Sequence, residues 1–135
     1  MIVVDSNVIA YCWINGAQTA LAHRVRRIDP DWHAPALWRS EVRSILTGYL
    51  RDRSLASGQV RDIMRAAETG LAGAEHYLPS ERVFGVVERS RLSAYDCEFV
   101  ALAEVLGVPL VTADRAVLAA FPGIAASMEA FLSAH

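Results

Sequence analysis

Four acidic residues stand where a carboxylate is expensive: Asp5 after the apolar run "IVV", Glu41 within "LWRSEVRSIL", Asp96 in "SAYDCEFVALAEVLG" and Asp114 at the end of "PLVTAD". Each has an ordinary explanation taken singly. Asp5 can open a helix as N-cap or Asx turn, although Ser6 or Asn7 could cap equally well. Glu41 falls on the helical stripe Trp38, Glu41, Val42, Ile45, Tyr49, and could reach water from its edge or pair with an arginine. Asp96, three residues after Ser93, fits a capping box and suits the helix dipole, and such a cap would also fix the rotamer of its carboxylate. Asp114 reads as an N-cap after a strand. Thr112, two residues earlier, points to the same side if the strand still holds there, and its hydroxyl could orient a water or a carboxylate.

Together the four acids suggest a different chemistry. Converging carboxylates raise one another's pKa and persist as anions only when a cation joins them. The donors are all oxygen, with no His or Cys in the pattern, which favours Mg²⁺ or Mn²⁺ over zinc. Such a centre, Asp5, Glu41, Asp96 and Asp114 around the ion with Thr112 beside them, suits phosphodiester hydrolysis. The ion lowers the pKa of a bound water and stabilises the attacking and leaving oxygens.

The elements that must position these residues alternate along the chain. Residues 2–4, 31–35, 75–79, 109–113 and 123–127 read as short strands. Helical periodicity covers 6–14, 17–28, 36–53, 58–72, 80–91 and 93–106, then 114–120 and about 128–134. Strands separated by helices imply parallel pairing in an α/β layered fold. Sites in such sheets gather beyond the carboxyl ends of the strands, where Asp5 and Asp114 lie.

Composition narrows the field. With 135 residues, 53% hydrophobic and 21% charged, the chain fits one domain, residues 1–135, with a sizeable core. No apolar run reaches the roughly 18–20 residues of a membrane span, and the apolar N-terminus has no basic region, so a cytoplasmic protein without a membrane partner is expected. Cys12 and Cys97 match neither a zinc nor a redox spacing and read as buried thiols. His23, His33, His76 and His135 are scattered and read as surface or structural, with His135 disordered at the terminus. There is no lysine: all 13 basic residues are arginines. That excludes a P-loop, a Schiff-base enzyme and a typical kinase, and argues against a receiver domain. The net charge of −2 does not announce a nucleic-acid binder, but arginine forks suit phosphate.

At "IVVDSNVIA", "LWRSEVRSIL" and "LSAYDCEFVALAEVLGVPLVTAD" the chain resembles a PIN-domain ribonuclease of the VapC toxin type, and the likeness runs over essentially its whole length. The resemblance implies a three-layer PIN-like fold with a short parallel five-stranded sheet flanked by helices. It implies a Mg²⁺- or Mn²⁺-dependent endoribonuclease site, a homodimer, and a small antitoxin whose C-terminal segment covers the acidic pocket. Asp5, Glu41, Asp96 and Asp114 match the family's acidic quartet, Ser6 the small hydroxyl residue after the first acid, and Thr112 the one before the last. Glu98, two residues past Asp96, should face elsewhere on its helix. RNA would have to be held by arginines near the acids, such as Arg39, Arg43, Arg91 and Arg115. Two other readings compete: a non-catalytic PIN-like module that holds RNA or a protein, and a different metal-dependent phosphoesterase. An aspartate-nucleophile phosphatase would want an acid where Asn7 stands, and a lysine.

Overall fold

The computed structural model describes residues 1–135. Its elements run β1 (Ile2–Val4), α1 (Ser6–Trp13), α2 (Thr19–Ile28), β2 (Trp32–Pro35), α3 (Trp38–Arg51), α4 (Ser57–Gly70), β3 (Glu75–His76), α5 (Ser80–Val87), α6 (Ala94–Leu106), β4 (Leu110–Val111), α7 (Arg115–Ala120), β5 (Ala125–Ala126) and α8 (Met128–Ser133). The five strands form one sheet in the order β3-β2-β1-β4-β5, and every pairing is parallel. β1 is central: Val3 is in register with both His33 and Leu110.

That order matters for the site. The chain steps outward from β1 to β2 to β3, then returns across the sheet to β4 on the other side of β1. The reversal opens a crevice between the carboxyl ends of β1 and β4. Right-handed crossovers place α1–α4 over one face and α5–α6 over the other. Accordingly α6 packs on β1, β2 and β4 and against α5, while α1 contacts α2, α3 and α4. Ile2, Val3, Val4, Leu110 and Val111 are buried, as strands covered on both faces require. They belong to one contiguous cluster of buried apolar side chains.

Several boundaries differ from the periodicity reading. β3 stops at His76 rather than residue 79, because Tyr77 swings out to 92% exposure and Pro79 caps α5. α5 ends at Val87 rather than 91, and α3 opens at Trp38 rather than 36. α6 ends at Gly107, whose φ of 67° is the left-handed cap that glycine adopts freely. Gly70 closes α4 against Trp13, where an added Cβ would lie 2.4 Å from the indole ring. His135 is not disordered: its Nδ1 lies 2.7 Å from the Phe131 carbonyl oxygen and its ring stacks on the Phe131 ring. His33 and His76 are structural, with Nδ1 of the first 2.8 Å from Nε2 of the second, tying β2 to β3.

Candidate active site

Asp5 follows directly on β1 and is the N-cap of α1. Its Oδ1 accepts the Val8 amide at 2.9 Å. Its Oδ2 accepts the Thr112 hydroxyl and, at 3.3 Å, the Ala113 amide. So the cap is not interchangeable among Asp5, Ser6 and Asn7. Ser6 spends its hydroxyl elsewhere, donating to Glu41 Oε1 at 2.7 Å across to α3. Asn7 remains exposed at the pocket. Thr112 links the two strand ends, because its oxygen also accepts the Asp114 amide at 3.0 Å. The ladder supports it there: the Thr112 amide still donates to the Ala126 carbonyl beyond the last paired residue of β4. Asp114 then caps α7, its Oδ1 accepting from Ala116 and Val117.

Asp96 enters from the opposite layer. The Ser93 hydroxyl accepts the Asp96 amide at 3.1 Å. The reciprocal half of the expected capping box, from the Asp96 carboxylate to the Ser93 amide, is not made, which leaves the carboxylate turned toward the crevice. Glu41 is carried differently from the reading of its helix. The buried line of α3 runs through Trp38, Val42 and Leu46, so Glu41, Ile45 and Tyr49 form the edge of that stripe and not its centre. An edge position lets Glu41 reach the crevice without full burial.

All five predicted residues, Asp5, Glu41, Asp96, Thr112 and Asp114, line one cavity of about 340 Å³. Ser6, Asn7, Ser44, Ile45, Phe99 and Val117 complete its wall with Leu110. Asn7 was read in the sequence as an alternative cap and Ser44 went unremarked, although Ser44 stands one turn beyond Glu41 and shares its helix edge. Burial pushes the Asp5 carboxyl above its ordinary range, and Asp114 adds to the shift, against the pull of Thr112 and the Val8 and Ala113 amides. Asp96 is raised likewise by burial and by Asp114, while Ser93 lowers it. Glu98 does not line the cavity, as expected, yet it is not remote: burial and the Glu41 carboxylate both raise its pKa.

The site therefore holds like charges that a cation would relieve. No three of the acids stand close enough to enclose an ion unaided. Mg²⁺ keeps several waters and takes few protein carboxylates, so an open bowl of hard oxygens fits it, as it fits Mn²⁺.

The arginines divide. Arg39 is not free for a ligand: it bridges Glu68 and Glu75, with Nη2 2.8 Å from Glu75 Oε2, and lies over the Trp38 ring. Its expected part in holding RNA is thus taken by a structural clamp joining α3, α4 and β3. Arg43, Arg91 and Arg115 are exposed and form no ion pair.

Comparison with known proteins places the fold and the family. The model of the PIN domain matches residues 2–123. Over 118 residues the chain is 35% identical to VapC ribonuclease Mb0985 of Mycobacterium bovis, covering 84% of this chain and 86% of that protein. The same figures hold for Ribonuclease VapC9 of Mycobacterium tuberculosis. The crystal structure of PAE2754 from Pyrobaculum aerophilum shares the fold, with a TM-score of 0.67 at 24% identity over 98% of this chain and 94% of that one. With a bowl of acids at the sheet's reversal point and these relatives, the chain belongs to the PIN-domain family, in its VapC branch.

Proposed function

We propose that this protein is a Mg²⁺- or Mn²⁺-dependent endoribonuclease that acts as the toxin of a toxin–antitoxin pair. The observation that carries the reading is the convergence of Asp5, Glu41, Asp96 and Asp114 on one cavity, with Asp5 fixed by three donors. A merely structural role would not explain it, because these acids repel one another and two of them lose solvation. A module that only holds RNA has no use for that cost. Bound among the carboxylates, the ion would lower the pKa of a bound water and stabilise negative charge on the oxygens of a phosphodiester.

The protein's own groups set the geometry. Thr112 and the Val8 and Ala113 amides hold the Asp5 carboxylate in one rotamer, and Ser6 holds that of Glu41. Phe99 and Val117 line the cavity as buried apolar side chains. The exposed Arg43, Arg91 and Arg115 supply cations for the RNA backbone at the rim, where the chain has no lysine to do so. Replacing each by Glu is expected to raise KM and to flatten the salt dependence of binding, by roughly 0.7 in the log–log slope per lost phosphate contact on single strands. Unchanged slopes in all three variants would remove these arginines from the interface.

The partners follow from the same reading: an RNA substrate, a cognate antitoxin that covers the acidic cavity, and a second copy of the chain in a homodimer, in the cytoplasm. No helix is long and apolar enough to cross a membrane. The test is cleavage of total RNA by the protein freed of any partner, with Mg²⁺, with Mn²⁺ and with chelator. Discrete cuts that require the metal support the proposal. A folded protein that binds RNA equally in chelator, and cuts nothing with metal, would sink it in favour of a binding module.

A further inference from the structure

The acidic cavity does not end at Glu41. It continues into a groove between α1 and α3, sharing Asn7 and Ile45 with it. The groove runs past Tyr11 to Asn15 and Gln18 in the turn before α2, and Tyr49 forms its α3 wall. A further hollow toward α4 shares Ile14, Asn15 and Tyr49. Two properties set this path apart. First, its lining up to Gln18 contains no cation. Of the free arginines, Arg91 and Arg115 are carried by the elements of the opposite wall, before α6 and at the start of α7, and Arg43 stands on α3 outside the groove's lining. Second, its amide side chains are uncommitted: those of Asn7, Asn15 and Gln18 are exposed and make no hydrogen bond within the protein, whereas the Thr19 hydroxyl is spent on the Gly16 amide and the Ile14 carbonyl. Tyr49 presents a 39% exposed aromatic ring beside them.

A wall without cations offers phosphates no charge partner. Unpaired amides next to an exposed ring are instead the pairing that reads an unstacked base, by hydrogen bonds to its edge and by contact with its face. We infer that the groove between α1 and α3 is a nucleobase subsite for single-stranded RNA, with Tyr49 as the stacking platform and Asn7, Asn15 and Gln18 as the edge readers. The phosphate backbone then runs along the arginine side while the base next to the scissile phosphate turns into the groove. This rests on the ribonuclease reading and deepens it: the substrate is a strand with an unpaired base beside the cut, and the groove contributes to its sequence preference.

Binding tests it separately from cleavage. The Asp96→Asn protein, which leaves the strand whole, is titrated with a short single-stranded RNA carrying a fluorescent purine analogue at each position in turn. One position near the middle is expected to be quenched on binding. Tyr49→Ala should abolish that quenching and weaken binding about tenfold, and Tyr49→Phe should keep both. In the cleaving protein, Gln18→Ala should change which nucleotides flank the mapped cuts. RNA that binds with no position-specific quenching, with affinity and cut pattern indifferent to Tyr49→Ala and Gln18→Ala, overturns the base subsite, leaves the nuclease intact and assigns the groove to a peptide. RNA that does not bind at all overturns both readings together.

Discussion

Asp96→Asn is expected to lose RNA cleavage by at least about 100-fold while making the metal-free protein more resistant to heat. The activity loss follows from removing one ionic donor from a bowl in which no three acids enclose an ion unaided. Even partners one shell further out cost about 10–100-fold in metal sites. The stability gain follows from the sign of the pKa shift. Burial and Asp114 raise the Asp96 carboxyl in the folded state above its unfolded value of about 3.9. Below that value both states are protonated and the group is neutral toward folding. As pH rises through the window up to the raised folded value, the unfolded chain ionises more easily, and the folded state loses stability that it does not regain at higher pH. Asparagine carries no such penalty. Calorimetry in chelator should therefore show a higher Tm for Asp96→Asn at neutral pH and a difference that closes toward pH 4. Saturating Mg²⁺ should lift the wild-type Tm by about 10 °C, since an ion at about 100 times its Kd adds about 2.7 kcal/mol, and should lift the variant less. Equal Tm values in chelator across this range would mean that the acids do not burden the fold.

Thr112→Val should be the most damaging change at a residue that touches neither strand nor ion directly. Thr112 is 1% exposed, and valine nearly matches its shape. The substitution removes one hydroxyl that serves two groups. Asp5 Oδ2 is left with the Ala113 amide alone, and the Asp114 amide loses its acceptor. The part-buried Asp114 amide, left unpaired, costs about 1–3 kcal/mol. The carboxylates on both sides of the crevice also lose the tether that sets their spacing, so a drop in activity of about 10–100-fold is expected. A purely structural role would lower Tm alone. Positioning predicts in addition a weaker affinity for Mn²⁺, measured by calorimetric titration on the folded protein, and recovery of both in Thr112→Ser, which restores the hydroxyl. Full Mn²⁺ affinity in Thr112→Val would reduce Thr112 to a packing residue.

The residues that carry the site were legible because their cost is local. An acid at the end of an apolar strand, or at the edge of an apolar helical stripe, is anomalous wherever the chain later goes. Asp5, Glu41, Asp96 and Asp114 all reached the same cavity. The alternation of strands and helices was likewise sufficient for a parallel α/β sheet, because helical and strand periods are read within a few residues.

What the chain could not announce is which strand ends become neighbours. Strand order is a choice among crossovers, and no local period encodes it. The return from β3 to β4 beside β1 is what brings Thr112 to Asp5 across 107 positions. The same long-range choices set the use of groups that look alike in sequence. Arg39 and Arg43 sit one turn apart on α3, yet the first is bound by Glu68 and Glu75 while the second forms no ion pair and acts on Glu75 only through its charge, because Arg39 already occupies both carboxylates. Ser6 and Asp5 are adjacent candidates for one cap, and the approach of Glu41 on α3 decides between them by drawing the serine hydroxyl away. Residue types and spacing determine the chemistry available to this protein. The packing of distant segments decides which of those groups are spent on the fold and which remain for a substrate, since a hydrogen bond or ion pair made once inside the protein is no longer offered outside it.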